Sequence, residues 1–378
     1  VLYLDHAATS PVRPEVRAAM EPYLTAVFGN PASHHTAGET AARALEDART
    51  RVARVFGARV GDVVFTGGGT EANNLAVKGI TLAALASGRR RVVVSPIEHE
   101  SIRESAAYLA RFHGVTVAMP AVDGTGRIGP DALDTVLTDD TAVVSVGHAN
   151  NEIGTVQDIP ALREVVRARR VPLHVDAVQS AGWLPLHDLD ADAVSIAGHK
   201  LGAPKGTGAL VVRGRLPLEP LLHGGGQERG RRSGTVDVAG AVGLATALEL
   251  AEHERAAAAA RAAEATARFI AEVTRRVPDA TLTGHPAHRL PATASFTIAG
   301  VSGEAVLLEL ERRGVISSSG SACAAGSDEP SPVLLACGIT PEVAQTAVRF
   351  TFGRTALPAD APERLAALVA EAVAAVRG

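Results

Sequence analysis

From about Val16 to Val212, short apolar runs rich in Val and Ile alternate with longer stretches of helical period. RVARVFG is followed by DVVFT, the helical GTEANNLAVKGITLAALASG, the run RRVVVSP, the helical HESIRESAAYLARFHG and VTVAMP. The rhythm continues through TAVVSVGHAN, the helical PALREVVRARR, VPLHVDA, ADAVSIAG and GALVVRG. A sheet with one wet face alternates apolar and polar positions, whereas near-continuous apolar runs belong to strands covered on both faces. The pattern predicts βαβ units that build a mainly parallel sheet between helical layers. After the Gly-rich HGGGQERGRRSGT (His223 to Thr235) the texture changes, and the Ala-rich stretch from Val238 to Arg276 predicts one long helix by propensity. Beyond it, TASFTIAG and VRFTFG read as strands, while SGEAVLLELERRG and a segment opening near PADAPERL read as helices. That is enough for a second, smaller α/β unit. With no internal repeat and no Pro- or Ser-rich linker, the long helix is the expected join.

Composition narrows the class. A chain of 378 residues, 46% apolar and 21% charged, is long enough for two or three folded units and lies far from the disordered corner. The charge of 37 − 41 = −4 and an aromatic content of 3% argue against nucleic-acid binding. Two cysteines, Cys323 and Cys337, cannot make a disulfide framework or a four-thiolate metal site. No apolar run approaches the roughly 18 residues of a membrane span, and VLYLDHAATS lacks the basic stretch and apolar core of a secretion signal. A cytoplasmic protein without a membrane partner is expected.

Three segments then offer chemistry. VVFTGGGTEANN sets three glycines and Thr70 between a strand and a helix expected near Glu71, so free backbone amides and a positive helix end face whatever lies in front. This is a phosphate seat, although a tight turn capped by Thr70 fits the same residues. Gly67 to Ala72 also match the loose dinucleotide fingerprint, and the lack of a following Lys-Ser or Lys-Thr excludes a Walker loop. In LHVDAVQSAG, Asp176 closes an apolar strand and Gln179 follows three positions on, at the sheet edge where α/β folds collect ligands. In ADAVSIAGHKLGAPKGTG, Lys200 leaves a strand end amid glycines. Partial burial there lowers an amine's pKa, and the free amine is the form that attacks an aldehyde. Pyridoxal phosphate is the cofactor that asks for all three together: a phosphate seat, a Schiff-base lysine and a carboxylate beneath its ring nitrogen.

Other candidates are less constrained. His99, after RVVVSP, sits at the same sheet edge and could lie over a ring; a hydrogen-bonded loop histidine fits equally. His34, His35 and His99 carry no metal motif, so no metal is expected. Cys323 lies in SSSGSACAAGSDEPS, too small and polar to anchor a core, so its thiol is expected at the surface as a nucleophile. Cys337, in VLLACGI, reads as a buried, inert cysteine. Arg349 and Asn151 offer a guanidinium and an amide for a substrate carboxylate. Arg229, Arg231 and Arg232 form a basic cluster that reads as a ligand contact or as a solvated loop.

The chain resembles the cysteine desulfurases of the NifS and IscS type, class V aminotransferases of fold-type I. The likeness runs through YLDHAATSP, GNPASHHTAG, GGTEANNLAVKG, EHESI, NNEIGTVQDI, HVDAVQSAG, GHKLGAPKGTGAL, GGGQERGRRSGT, SSGSAC and VRFTFGR. The resemblance implies a large cofactor-binding domain (residues 14–250) with a mainly parallel seven-stranded sheet covered by helices. A smaller C-terminal α/β domain (residues 1–13 and 251–378) would carry the cysteine loop. It implies Lys200 as the Schiff-base lysine, Asp176 under the pyridine nitrogen, Gln179 near the ring hydroxyl and His99 stacked on the ring, assisting proton transfer. Gly69, Thr70 and His199 would meet the phosphate, with Thr235 reaching it from the other subunit of a homodimer. Arg349 and Asn151 would hold the substrate carboxylate. The implied reaction converts L-cysteine to L-alanine and leaves a persulfide on Cys323, with a base such as His99 helping to ionise the thiol. The sulfur would pass to an acceptor protein, a scaffold or carrier in iron-sulfur assembly, tRNA thiolation or another sulfur-modification pathway. An aminotransferase or a cysteine/selenocysteine lyase of the same fold, a nicotinamide oxidoreductase and a non-catalytic sulfur-carrier scaffold stay open as rivals.

One position departs from the family: SIAGHK has Ala197 where Ser is usual two places before the histidine. A charge-assisted hydrogen bond is worth roughly 1.5 to 3 kcal/mol. Its loss would weaken cofactor binding roughly ten- to a hundredfold unless other donors compensate.

Overall fold

The computed structural model describes residues 1–187, 189–320 and 329–378. A short strand β1 (Leu2–Tyr3) precedes helices α1 (Pro14–Leu24) and α2 (Thr36–Val55). Alternation then sets in: β2 (Val63–Thr66), α3 (Gly69–Ala84), β3 (Arg91–Val94), α4 (Glu100–His113), β4 (Thr116–Ala118), α5 (Pro130–Val136), β5 (Thr141–Gly147) and α6 (Ile159–Ala168). Strands β6 (Leu173–Asp176), β7 (Ala193–Ala197) and β8 (Gly208–Val212) follow without intervening α-helices. The run RVARVFG is the close of α2 and not a strand: Val52, Ala53 and Phe56 pack into the core, and Gly57 at φ 57° ends the helix.

The seven strands line up in the order β2-β8-β7-β6-β5-β3-β4. β8 runs antiparallel to both neighbours, and every other pairing is parallel. β6, β7 and β8 are buried along their whole length, which is why they read as continuous apolar runs. Helices α1, α2, α5 and α6 help close one face, and α3 and α4 cover the other. The carboxyl ends of β5, β6 and β7 thus open on one edge of the sheet.

Helix α7 (Val238–Arg276) spans the segment that its alanine content predicted and starts on an Asp237 cap, whose carboxylate accepts from the Gly240 amide at 2.8 Å. Its first turns, through Ala251, pack on the large sheet, while Ala262, Phe269 and Val273 enter a second core. That core holds β9 (Ala280–Leu282), β10 (Thr293–Ile298), α8 (Gly303–Arg312), β11 (Val315–Ile316) and, past α9 (Pro332–Ala336) and α10 (Pro341–Ala344), β12 (Ala347–Thr351) and α11 (Ala361–Arg377). Leu4 joins it, and β1 pairs with β11.

β2 is an edge strand of the large sheet, and its outward backbone groups have no strand to meet. A buried ion pair takes that place. The Arg49 guanidinium donates to the Val63 carbonyl at 2.8 Å, and Glu228 accepts from the Phe65 amide at 2.8 Å. The two side chains are themselves joined by paired bonds of 2.8 and 2.6 Å. Removing one partner of such a pair strands a buried charge and typically costs about 3–5 kcal/mol. Glu228→Ala is therefore expected to lower unfolding stability by about that amount, measured by urea denaturation; a loss under about 1 kcal/mol, the range of exposed pairs, would show that the pair does not brace the edge.

Candidate active site

One cleft of about 700 Å³ opens at the carboxyl edge of the large sheet. Gly69, Thr70, His99, Asn151, Asp176, Gln179, His199, Lys200 and Arg349 all border it.

The glycine run forms the turn from β2 into α3. The helix starts at Gly69, two residues earlier than the sequence suggested, with Gly68 at φ 141° preceding it. A side chain there would be strained. The first helical bond runs from the Ala72 amide to the Gly68 carbonyl at 3.1 Å, so the amides of Gly69 and Thr70 precede the helical ladder. A Cβ on Gly69 would lie 2.9 Å from Val178 Cγ2 and 3.1 Å from the Ala197 methyl, so this cradle admits only glycine without displacement. Ala197 is buried against the same seat and supplies no donor. His199 is held toward Thr9 (Nδ1 to Oγ1 3.2 Å), and burial, helped by the Lys200 and Lys205 charges, pulls its pKa down to about 4. It is a neutral imidazole at pH 7. Lys205 borders this end of the cleft as well.

Asp176 ends β6 and is 8% exposed. Its Oδ1 accepts from the Val178 amide at 2.8 Å and its Oδ2 from the Asn73 side chain at 2.7 Å. Burial pushes its carboxyl above the usual range, and these donors, with the Lys200 charge, pull it back. Below it lies a second buried acid: Glu98 accepts from the Gly147 amide at 2.7 Å, and burial pushes its pKa up to about 8.

Lys200 sits on the turn after β7, where Gly198 is required because a Cβ would meet Thr207 Oγ1 at 2.1 Å. Its amine donates to the carbonyls of Ala7 and Ala8, the latter at 2.6 Å, and Gln179 also donates to Ala7, at 3.1 Å. Burial first, and the Arg349 charge second, lower the lysine's pKa to about 8, against the pull of Asp5 and Asp176.

Arg349, on β12 of the second core, reaches the cleft fully buried. It donates to the Asn151 carbonyl at 2.8 Å, the Gly320 carbonyl at 3.2 Å and Asp5 at 2.5 Å, while its Nε has no partner among the described residues. Asn150 is consumed by its own turn, accepting from Glu152 at 2.8 Å and Ile153 at 2.9 Å, so Asn151 is the asparagine of the pair that borders the cleft without such a duty.

Some candidates fall elsewhere. Thr235 is exposed and does not border its own cleft. The basic cluster is occupied structurally: Arg231 donates to the Gly61 carbonyl, Arg232 pairs with Glu71 at 2.8 Å, and Arg229 lies 3.6 Å from Glu46. His35 caps α2, accepting from Gly38 at 3.2 Å. Burial pushes the Cys337 thiol up to about 11, too high for a nucleophile at pH 7. Cys323 lies outside the described residues, but its flanks meet the cleft: Gly320 on Arg349, and Glu329 and Pro330 on the rim. The sequence reasoning missed Asp5, Asn73, Glu98 and Ser101. Only Asn73 left a signal, an asparagine inside a helix one turn past Thr70, where asparagine is unfavourable.

The donor set fits pyridoxal phosphate. It offers a helix end shaped around glycine, a buried carboxylate in need of a cation and a lysine amine with a lowered pKa.

The family model for class-V aminotransferases matches residues 2–361. The chain is 42% identical to the cysteine desulfurase IscS of Dictyoglomus turgidum over 354 residues, 93% of this chain and 89% of that protein. Among solved structures, a NifS-like protein superposes with a TM-score of 0.91 at 30% identity, covering 99% of both chains. SspA in complex with cysteine gives a TM-score of 0.82 at 30% identity, covering 94% of this chain and all of that one.

The lowered Lys200 pKa has a kinetic consequence. Its reactive free amine grows about tenfold per pH unit below the folded-state pKa and saturates above it. Recombination of the apoprotein with pyridoxal phosphate is therefore expected to accelerate with pH and level off near pH 8, read by absorbance of the lysine-bound cofactor. A rate still climbing at pH 10 would place the amine near its ordinary value.

Proposed function

The chain belongs to the class-V aminotransferase family and is a pyridoxal-phosphate-dependent cysteine desulfurase, and we propose that Lys200, Asp176 and Cys323 carry this activity. The observation behind the assignment is that one cleft gathers the Lys200 amine, the Asp176 carboxylate, the helix end at Gly69 and both flanks of the Cys323 segment. When bound, the cofactor supplies a conjugated ring that takes up the electron pair left at the substrate α-carbon.

Lys200 would hold the cofactor through its Nζ, and its amine, when not so engaged, would be placed to take the substrate's α-proton. Asp176 would keep the proton on the ring nitrogen, and Gln179 and His99 would hold the ring. Gly69, Thr70 and His199 would hold the phosphate. Arg349 and Asn151 bind the carboxylate of L-cysteine; the guanidinium is buried with its Nε–H without a partner among the described residues. The thiolate of Cys323 attacks the substrate sulfur, the carbon-sulfur bond breaks, and L-cysteine plus thiol becomes L-alanine plus persulfide. Thr235, exposed away from its own cleft, serves the phosphate of a second copy in a homodimer. The persulfide sulfur goes to an acceptor protein, a scaffold or carrier of the kind used in iron-sulfur assembly.

The chain divides into a cofactor-binding unit (14–250) and a second unit (1–13 and 251–378). The two cores support this division, since they exchange along α7 between Ala251 and Ala262. No described helix is long and apolar enough to cross a membrane. A cytoplasmic site of action accords with a free nucleophilic thiol.

Cys323→Ala is expected to keep the cofactor absorbance and lose persulfide and cysteine-dependent alanine by at least about a hundredfold, the scale for removing a covalent nucleophile. Product analysis and mass spectrometry decide it. Sulfide release at the parental rate would remove Cys323 from the mechanism.

A further inference from the structure

Asn73 is 2% exposed and uses both amide hydrogens on the cleft: Nδ2 donates to Asp176 Oδ2 at 2.7 Å and to Ser101 Oγ at 2.9 Å. With Asp176 ionised, the opposite amide orientation would aim oxygen at carboxylate oxygen, so the donor side must face Asp176. The other end is left poor. Asn73 Oδ1 is buried without a partner among the described residues. An asparagine inside a helix with an orphaned acceptor is a stability liability, so stability does not explain its presence.

Ser101 carries the link onward. Its backbone N–H donates to His99 Nδ1 at 3.0 Å. A backbone N–H cannot accept, so Nδ1 bears no proton, and a neutral His99 must carry its proton on Nε2. Ser101 Oγ lies 2.8 Å from the same Nδ1. Because Nδ1 carries no proton, this short contact needs the hydroxyl hydrogen turned toward Nδ1, while an Oγ lone pair accepts from Asn73. The lone pair of His99 is thereby engaged twice, and the nitrogen left over, Nε2, is a donor on a ring that borders the cleft.

We propose that Asn73 is a positioning residue that ties Asp176 to Ser101, and that Ser101, through its N–H and its Oγ, fixes His99 as an Nε2–H hydrogen-bond donor rather than the acceptor of a thiol proton. For the identity of the reaction this rests on the desulfurase function proposed above; the hydrogen bonds stand independently of it. His99 then stabilises negative charge that develops on oxygen or sulfur in the cleft, and Asn73 joins the hold on Asp176 to the serine that sets the His99 tautomer.

The test is ¹⁵N NMR of histidine-labelled holoenzyme, with the His99 signals assigned by their loss in His99→Gln. Wild type is expected to show Nδ1 unprotonated and Nε2 protonated; a proton on Nδ1 overturns the proposal. Asn73→Ala is expected to shift the pH midpoint of the cofactor absorbance, because Asp176 loses its Oδ2 donor, while the Ser101 backbone N–H keeps His99 as the Nε2–H tautomer. A fall in melting temperature with that midpoint unchanged would mean a merely structural role for Asn73 and would overturn it. If that variant does not fold, the wild-type spectrum and a second comparison still decide. His99→Gln keeps a donor near the Nε2 position and is expected to form persulfide on Cys323 at least about tenfold faster than His99→Ala, whereas equal loss in both would show that His99 works as a base. Absence of alanine production by wild type would instead overturn the desulfurase assignment and leave the NMR result standing.

Discussion

Asp176 is a carboxylate withdrawn from water, and a buried carboxylate costs several kcal/mol unless donors and a cation offset the loss of hydration. The cleft is organised around that constraint. Val178 and Asn73 donate to its two oxygens, yet burial still pushes its carboxyl upward. In the proposed assignment the protonated ring nitrogen of the cofactor would be the missing opposite charge, so binding would relieve a strain that folding alone leaves in place. The same burial acts in the other direction on Lys200, holding its amine short of full protonation. One dry pocket thus prepares an anion to receive a cation and an amine to act as a nucleophile.

Topology delivers these groups without special devices. β6 and β7 are parallel neighbours, so Asp176 at the end of one and the Lys200 turn after the other emerge on the same edge. The turn from β2 into α3 reaches that edge too, because β2 pairs with β8 and Gly208 passes so close to Gly68 that a Cβ would sit 2.6 Å from its carbonyl carbon. The Arg49–Glu228 pair braces the outer side of β2 and thereby the phosphate seat itself. Arg349 comes from the other core. In the proposed assignment a substrate held by it would lie between the two cores, with the amino-acid end fixed from one and the cofactor from the other.

What was legible in the sequence follows the same logic. Asp176 could be singled out because it closes an apolar strand, and Lys200 and Thr70 because each follows a strand end across glycines that permit close backbone approach. The long helix was legible from alanine alone. RVARVFG misled because a helix end packed under a sheet is as apolar as a strand, and only Gly57 marks the difference. Asp5, Glu98 and Ser101 were not legible, since their roles depend on side chains meeting across elements far apart in the chain. The hold on Lys200 was invisible in principle: the carbonyls of Ala7 and Ala8 carry no residue signature.

Ala197 shows how such a site absorbs the loss of a ligand. A serine there would add one donor to the phosphate seat, but the methyl group packs against the Gly69 cradle and keeps the helix end in position. The amides of Gly69 and Thr70, the Thr70 hydroxyl and the neutral His199 still converge on the seat, and Lys205 brings a positive charge to the same end of the cleft. A charge acts over several ångströms without the strict geometry that a hydroxyl needs. The covalent hold proposed at Lys200 would add to these. With the cofactor tethered there, the phosphate contacts would serve orientation more than retention, and orientation tolerates the loss of one donor among several better than it would tolerate a displaced helix end.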